Sequence, residues 1–200
     1  MRVRGVGWSA VLVECDVPLA VAAWLGELRA AGEIDATEIV PGEATVLVDG
    51  VPEPDALVAV LDGAAEPAAG AASSARRVEL PTVYDGADLE VVASHWGVPV
   101  AEVVARHVDT EFTVAFCGFA PGFGYLTGLP ASLAVPRLAT PRPRVPAGSV
   151  GLAGRYTGVY PSASPGGWLL IGRTDARLFD VSTSPPALLT PGTTVRFVRA

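Results

Sequence analysis

Glycine and proline set the strictest limit on what this chain can fold into. Gly118, Pro121, Gly122 and Gly124 are followed by Pro136, Pro141, Pro143 and Pro146, then by Gly148, Gly151, Gly154 and Gly158, and finally by Pro161, Pro165, Gly166 and Gly167. Such density can leave a segment without a core. Here Phe, Tyr, Trp and Val are interleaved with the breakers, so the segment can bury apolar area. The pattern predicts short strands joined by tight turns. Proline narrows the unfolded ensemble, and glycine permits the positive φ that such turns use.

Charge singles out the same region. From Phe112 to Thr174 there is no Asp, Glu or Lys, yet Arg137, Arg142, Arg144, Arg155 and Arg173 are present in a chain of net charge −7. Guanidinium groups bind carboxylate and phosphate through paired hydrogen bonds, and a neighbouring carboxylate competes for them. Two readings stay open: an anion-binding surface on a rigid loop system, or a β-rich domain with solvated arginines. All 14 basic residues are Arg, so a Walker A lysine is excluded.

Upstream, Ala10–Cys15 reads as a strand and Leu19–Ala31 as a helix opened by Pro18. Thr37–Val40 and Ala44–Val48 form a hairpin around a Pro-Gly-Glu turn, and Pro54–Leu61 is a second helix. The order β-α-β-β-α resembles part of a ferredoxin-like fold. The small-residue run 63–75 reads as a linker between an N-terminal unit, 1–62, and a second unit, 76–200. Residues before Arg76 carry 3 Arg against 12 acids, and the rest 11 against 9. In the second unit Arg76–Tyr84 is a strand. Asp88–Trp96, capped by Asp88, and Pro99–His107 are helices. Thr110–Phe116, Trp168–Ile171 and Thr194–Val198 are strands, giving a β-barrel-like domain with two leading helices. The fold class is α+β.

No apolar run reaches the roughly 18–20 residues that span a bilayer, and the N-terminus lacks a signal-peptide pattern. A cytoplasmic protein without membrane or nucleic-acid partners is expected. Cys15 and Cys117 lie in apolar runs and read as buried thiols. Neither His95 nor His107 belongs to a cluster with metal-ligand spacing, so no metal is expected.

His107, just before an apolar strand, is a candidate general acid or base; the alternative is a helix-end histidine bonded to backbone. Arg137, Arg142 and Arg144 are the candidates for holding carboxylate or phosphate in one shared pocket. On an extended segment Arg142 and Arg144 point to one face. Ser149, Thr157 and Tyr160 can add hydroxyl donors. Ser149 lacks the Gly-x-Ser-x-Gly context of a nucleophile. Phe119, Phe123, Tyr125 and Trp168 read as core or pocket wall.

The words GFAPGFGYL (118–126), PR (136–137), PRPRVPAGSVGLAG (141–154), TGVYP (157–161) and SPGGWLLIGRT (164–174) resemble a known family. It contains the B subunit of 5-oxoprolinase, the KipI-type kinase inhibitors and the allophanate hydrolase subunit 1 domain. LPTVYDGADLEVVA (80–93), His107, LFD (178–180) and PGTTVRF (191–197) fit the same pattern, while Gly7-Trp8 and Thr193 depart from it. The resemblance implies a cyclophilin-like β-barrel after a small α/β domain. It further implies one component of an ATP-dependent 5-oxoprolinase, opening 5-oxoproline to glutamate. Such a component would use ATP with Mg, take a small carboxylate substrate, and work with partners resembling the C and A subunits of 5-oxoprolinase. The alternatives are a KipI-like inhibitor of a sensor histidine kinase and a urea- or allophanate-processing accessory.

Overall fold

The computed structural model describes residues 1–68 and 76–200. Of the linker expected over 63–75, residues 69–75 lie outside the described residues. The chain divides into two compact units, Met1–Ser73 and Ser74–Ala200.

The first unit runs β1 (Arg2–Val6), β2 (Ala10–Glu14), α1 (Pro18–Ala30), β3 (Glu38–Pro41), β4 (Thr45–Asp49) and α2 (Pro54–Leu61). Its antiparallel sheet has the order β1-β2-β4-β3. With β4 between β2 and β3, β2-α1-β3 is a split β-α-β unit, the ferredoxin-like feature. The fourth place is taken by β1, which precedes the unit and pairs with β2 as a hairpin. Alternation in β2 and β4 buries Val11, Val13, Val46 and Val48, and the helices add Val21, Leu25, Leu57 and Leu61. Proline at the first turn of each helix costs no hydrogen bond. Strand β1 escapes pattern reading because it is an exposed edge carrying Arg2 and Arg4, each beside Glu14. Its turn uses Gly7 at φ 61 and holds Trp8 98 % exposed.

The second unit begins with β5 (Arg77–Thr82), α3 (Leu89–Trp96) and α4 (Val100–Asp109). The strands β6 (Phe112–Cys117), β7 (Gly124–Thr127), β8 (Arg142–Val145), β9 (Ser149–Ala153) and β10 (Tyr156–Val159) follow. The chain ends with β11 (Ser164–Gly166), β12 (Leu169–Arg173) and β13 (Thr194–Arg199). Seven strands form one sheet in the order β12-β9-β10-β7-β6-β13-β5, and β8 pairs separately with β11. A bridge between Val83, just past β5, and Arg173 in β12 joins the two edges, so the sheet is a nearly closed barrel. Joining the edges removes the unpaired backbone that an open sheet exposes. The core takes Leu80, Phe112, Val114, Leu126, Val150, Leu152, Ile171 and Phe197 from the strands, and Val92, Val103 and Val104 from the helices. Helix α3 stops at Gly97, which adopts the left-handed conformation at φ 64.

Candidate functional site

The glycine- and proline-rich segment folds into short strands and turns that collect aromatic side chains at one place. Phe123 precedes β7 and Tyr125 lies within it. Tyr156 opens β10, Tyr160 follows it, and Trp168 precedes β12. The Phe123 ring meets Tyr125, Trp168 and Tyr160 edge-on, at centroid separations of 5.0, 5.3 and 5.5 Å. Edge-to-face pairs of this kind contribute about 0.5–1.5 kcal/mol each beyond their buried area. Glycine makes the cluster possible: a Cβ at Gly158 would stand 3.0 Å from both Phe123 and Trp168, and one at Gly166 would collide with the Tyr160 hydroxyl.

These rings enclose a cavity of about 280 Å³, whose walls include Phe119, Phe123, Tyr125, Tyr156, Tyr160 and Trp168, with Arg137 at the rim. All four aromatic residues read as pocket wall from the sequence line it; Tyr156 does so too, and its motif gave no sign of the role. Arg137 is exposed and forms no ion pair with any carboxylate among the described residues. It stands near enough to Tyr160 to favour the phenolate, although burial, the larger effect, pushes that hydroxyl's pKa up. Arg155 lies over the Tyr156 ring, 5.4 Å from its centroid. The lining contains no Asp or Glu.

The three arginines do not share a pocket. Arg142 turns away from the cavity and donates through Nη2 to both carboxylate oxygens of Asp88, at 2.7 and 2.8 Å. Asp88 also accepts the Leu170 N–H at 2.6 Å and is 5 % exposed. It makes no side-chain cap on α3, contrary to the sequence reading, because its carboxylate faces Arg142 and β12. Arg144 is exposed and does not line this cavity. The acid-free segment therefore obtains carboxylates from outside itself: Asp88 occupies Arg142, and Asp85 pairs with Arg173 at 2.9 Å.

His107 is also placed differently from a surface acid–base group. It is fully buried between Phe112 and Phe197, with Nδ1 2.8 Å from the Tyr84 hydroxyl and Nε2 3.4 Å from Thr157 Oγ1. Burial lowers its pKa to about 3, so the ring is neutral near pH 7. Thr157 is buried with it and Ser149 is buried as the first residue of β9; neither lines the cavity. Tyr160 is the one hydroxyl candidate that does. Burial raises the Cys117 thiol to about 11, and the thiol donates to the Leu189 carbonyl, so it is inert as a nucleophile. Among the described residues no three His, Cys, Asp or Glu side chains are grouped to hold a metal ion, and no helix is long and apolar enough to cross a membrane.

Residues 1–189 match the family described as carboxyltransferase domain, subdomain C and D. A relative from Escherichia coli O157:H7, named as the B subunit of 5-oxoprolinase, is 44 % identical over 96 % of this chain and 93 % of its own length. The crystal structure of TTHA0988 superposes with a TM-score of 0.77 at 34 % identity, covering 96 % of this chain; the chain spans only 40 % of that protein. A conserved uncharacterized protein from Pyrococcus horikoshii is 32 % identical, with a TM-score of 0.59, over 99 % of this chain and 97 % of its own.

Proposed function

The chain belongs to the family of 5-oxoprolinase B subunits, and on that premise we propose that it serves an ATP-dependent 5-oxoprolinase, holding 5-oxoproline while partner proteins complete the reaction that yields glutamate. The observation that carries this reading is the aromatic cleft with Arg137 at its rim. The substrate is a small flat ring bearing one carboxylate. Arg137 supplies a planar double donor for the carboxylate, free of internal competition. The aromatic walls take the ring and exclude water, which strengthens the ion pair inside. At about 280 Å³ the cavity suits a metabolite and not a protein surface, which favours this reading over a kinase inhibitor.

This chain contributes binding and orientation. His107 is buried and the half-buried Cys117 gives its thiol to the Leu189 carbonyl; neither lines the cleft, so the groups that move protons and add water are assigned to the partners. ATP with Mg supplies activation of the ring amide by phosphoryl transfer. Proteins resembling the C and A subunits of 5-oxoprolinase complete the assembly in a cytoplasmic setting.

The test is 5-oxoproline-dependent ATP hydrolysis by the chain alone and with its partners. Turnover only in the complete mixture, lost on Arg137→Ala, supports the reading. Robust turnover by the isolated chain, or full activity of Arg137→Ala in the mixture, overturns it.

A further inference from the structure

Phe119 is the one residue other than glycine with positive φ among the described residues, at φ 66. The Ala120 N–H donates to the Gly118 carbonyl at 2.7 Å across it, closing a three-residue turn of the strained positive-φ kind. A bulky side chain in that region is a true outlier, and such strain persists only where the surroundings impose it. Gly118 and Gly122 lie on either side, so glycine is plentiful in this loop, yet the strained position holds a phenylalanine.

Burial does not explain the ring. Phe119 is 60 % exposed, while Phe123, four residues on, is 1 % exposed. Its contacts with Phe123 and Tyr160 are edge-on, at 5.3 and 6.1 Å, and most of the ring stays open at the cavity that Arg137 also lines. The backbone is held in an unfavourable turn in order to present an aromatic ring at the mouth of an aromatic cleft.

We propose that Phe119 is the specificity-determining residue of this cleft, covering the face of a planar cyclic amide whose carboxylate is held by Arg137. This rests on the reading of the cleft as the 5-oxoproline site. The amide group of the ring is planar, so its face can pack flat against an aromatic ring, as apolar and polar planar groups do on Phe, Tyr and Trp. The γ-turn fixes the ring before the ligand arrives, so less freedom is lost on binding.

The experiment measures 5-oxoproline affinity by calorimetry, for the full chain alone and with its partners, in wild type, Phe119→Gly, Phe119→Tyr and Arg137→Ala. Phe119→Gly is expected to raise Kd about tenfold, equivalent to about 1.4 kcal/mol, with a melting temperature within about 2 °C of wild type because the turn loses its strain as the ring is lost. Phe119→Tyr is expected to restore the affinity. An unchanged Kd for Phe119→Gly, or a loss accompanied by a large fall in melting temperature, removes the role from Phe119. Wild type that binds no 5-oxoproline in either form removes the site reading itself, and Phe119's role with it. Loss in Arg137→Ala with none in Phe119→Gly removes Phe119 alone.

Discussion

Arg142 and Asp88, 54 residues apart in the chain, form a paired contact in which one guanidinium nitrogen reaches both carboxylate oxygens at 2.7 and 2.8 Å. The side chains are 28 % and 7 % exposed. Asp88 fastens the start of α3 to the β8 strand through Arg142 and to β12 through the Leu170 N–H, while Arg142 also donates to the Trp168 carbonyl at 3.4 Å. One ion pair thus ties the helical layer to the segment that carries a wall of the cleft.

Breaking that pair leaves a poorly hydrated charge. Arg142→Ala, which strands the buried Asp88, is expected to cost about 3–5 kcal/mol, and Asp88→Ala, which leaves the partly exposed Arg142, less; both are read as a lowered urea midpoint with unchanged slope. Arg142→Lys is expected to recover only part, because a single ammonium can meet the Asp88 carboxylate but lacks the second nitrogen that Arg142 turns to the Trp168 carbonyl. A double-mutant cycle should give a coupling well above the roughly 0–1 kcal/mol of an exposed pair. Additive effects at the two positions would show the contact to be energetically idle.

Arg137 is expected to behave in the opposite way. It is exposed and pairs with no carboxylate among the described residues, so Arg137→Ala should leave stability within about 0.5 kcal/mol of wild type. It should lower 5-oxoproline-dependent activity of the assembled enzyme by about 10- to 100-fold, the loss of a charge-assisted bond worth about 1.5–3 kcal/mol. An equal fall in stability would make Arg137 a structural residue.

The contrast between these two arginines marks what the sequence can and cannot carry. Both sit in the same acid-free run, and no local signal separates them. The partner of Arg142 lies beyond any window of local pattern, and its position before a helix made it read as a cap. Phe123 and Trp168, read from the sequence as core or pocket wall, are buried and stand beside the cavity. Thr157 and Ser149 were not placed correctly, since a hydroxyl's side of a short strand depends on a register fixed only by tertiary pairing. Strands with apolar runs, such as β2 and β4, were read to within about two residues, whereas β1 is a mostly exposed edge whose one core contact from the strand, Val3, is too little to stand out between Arg2 and Arg4.

Gly158 tests whether cleft shape matters apart from charge. A Cβ there stands 3.0 Å from Phe123 and Trp168 and 3.1 Å from the Gly124 carbonyl, and that last neighbour is backbone. Gly158→Ala is expected to cost about 1–3 kcal/mol through overpacking and to displace the two rings, visible as an altered Trp168 fluorescence spectrum. Unchanged fluorescence and stability would show that the cluster yields without cost.

His107 gives a signature in pH. Its folded pKa lies near 3, below the 6.5 of the exposed ring. Between those values the unfolded chain binds a proton that the folded chain does not, so stability rises with pH across the window. The neutral ring's contribution is complete above about pH 6.5 and is lost progressively as pH falls toward 3. The slope is at most ~1.4 kcal/mol per pH unit, which amounts to about 2 kcal/mol between pH 6.5 and 5. His107→Gln keeps a polar group beside Tyr84 and Thr157 but cannot titrate. It is expected to lower stability at pH 7 through lost packing against Phe112 and Phe197, and to flatten the pH dependence in that interval by about this amount. Chemical denaturation of both proteins at pH 5, 6 and 7 measures the difference directly. Parallel pH profiles would mean that His107 is protonated in the folded barrel, and its place among three aromatic rings would then need a buried counter-charge that the described residues do not supply.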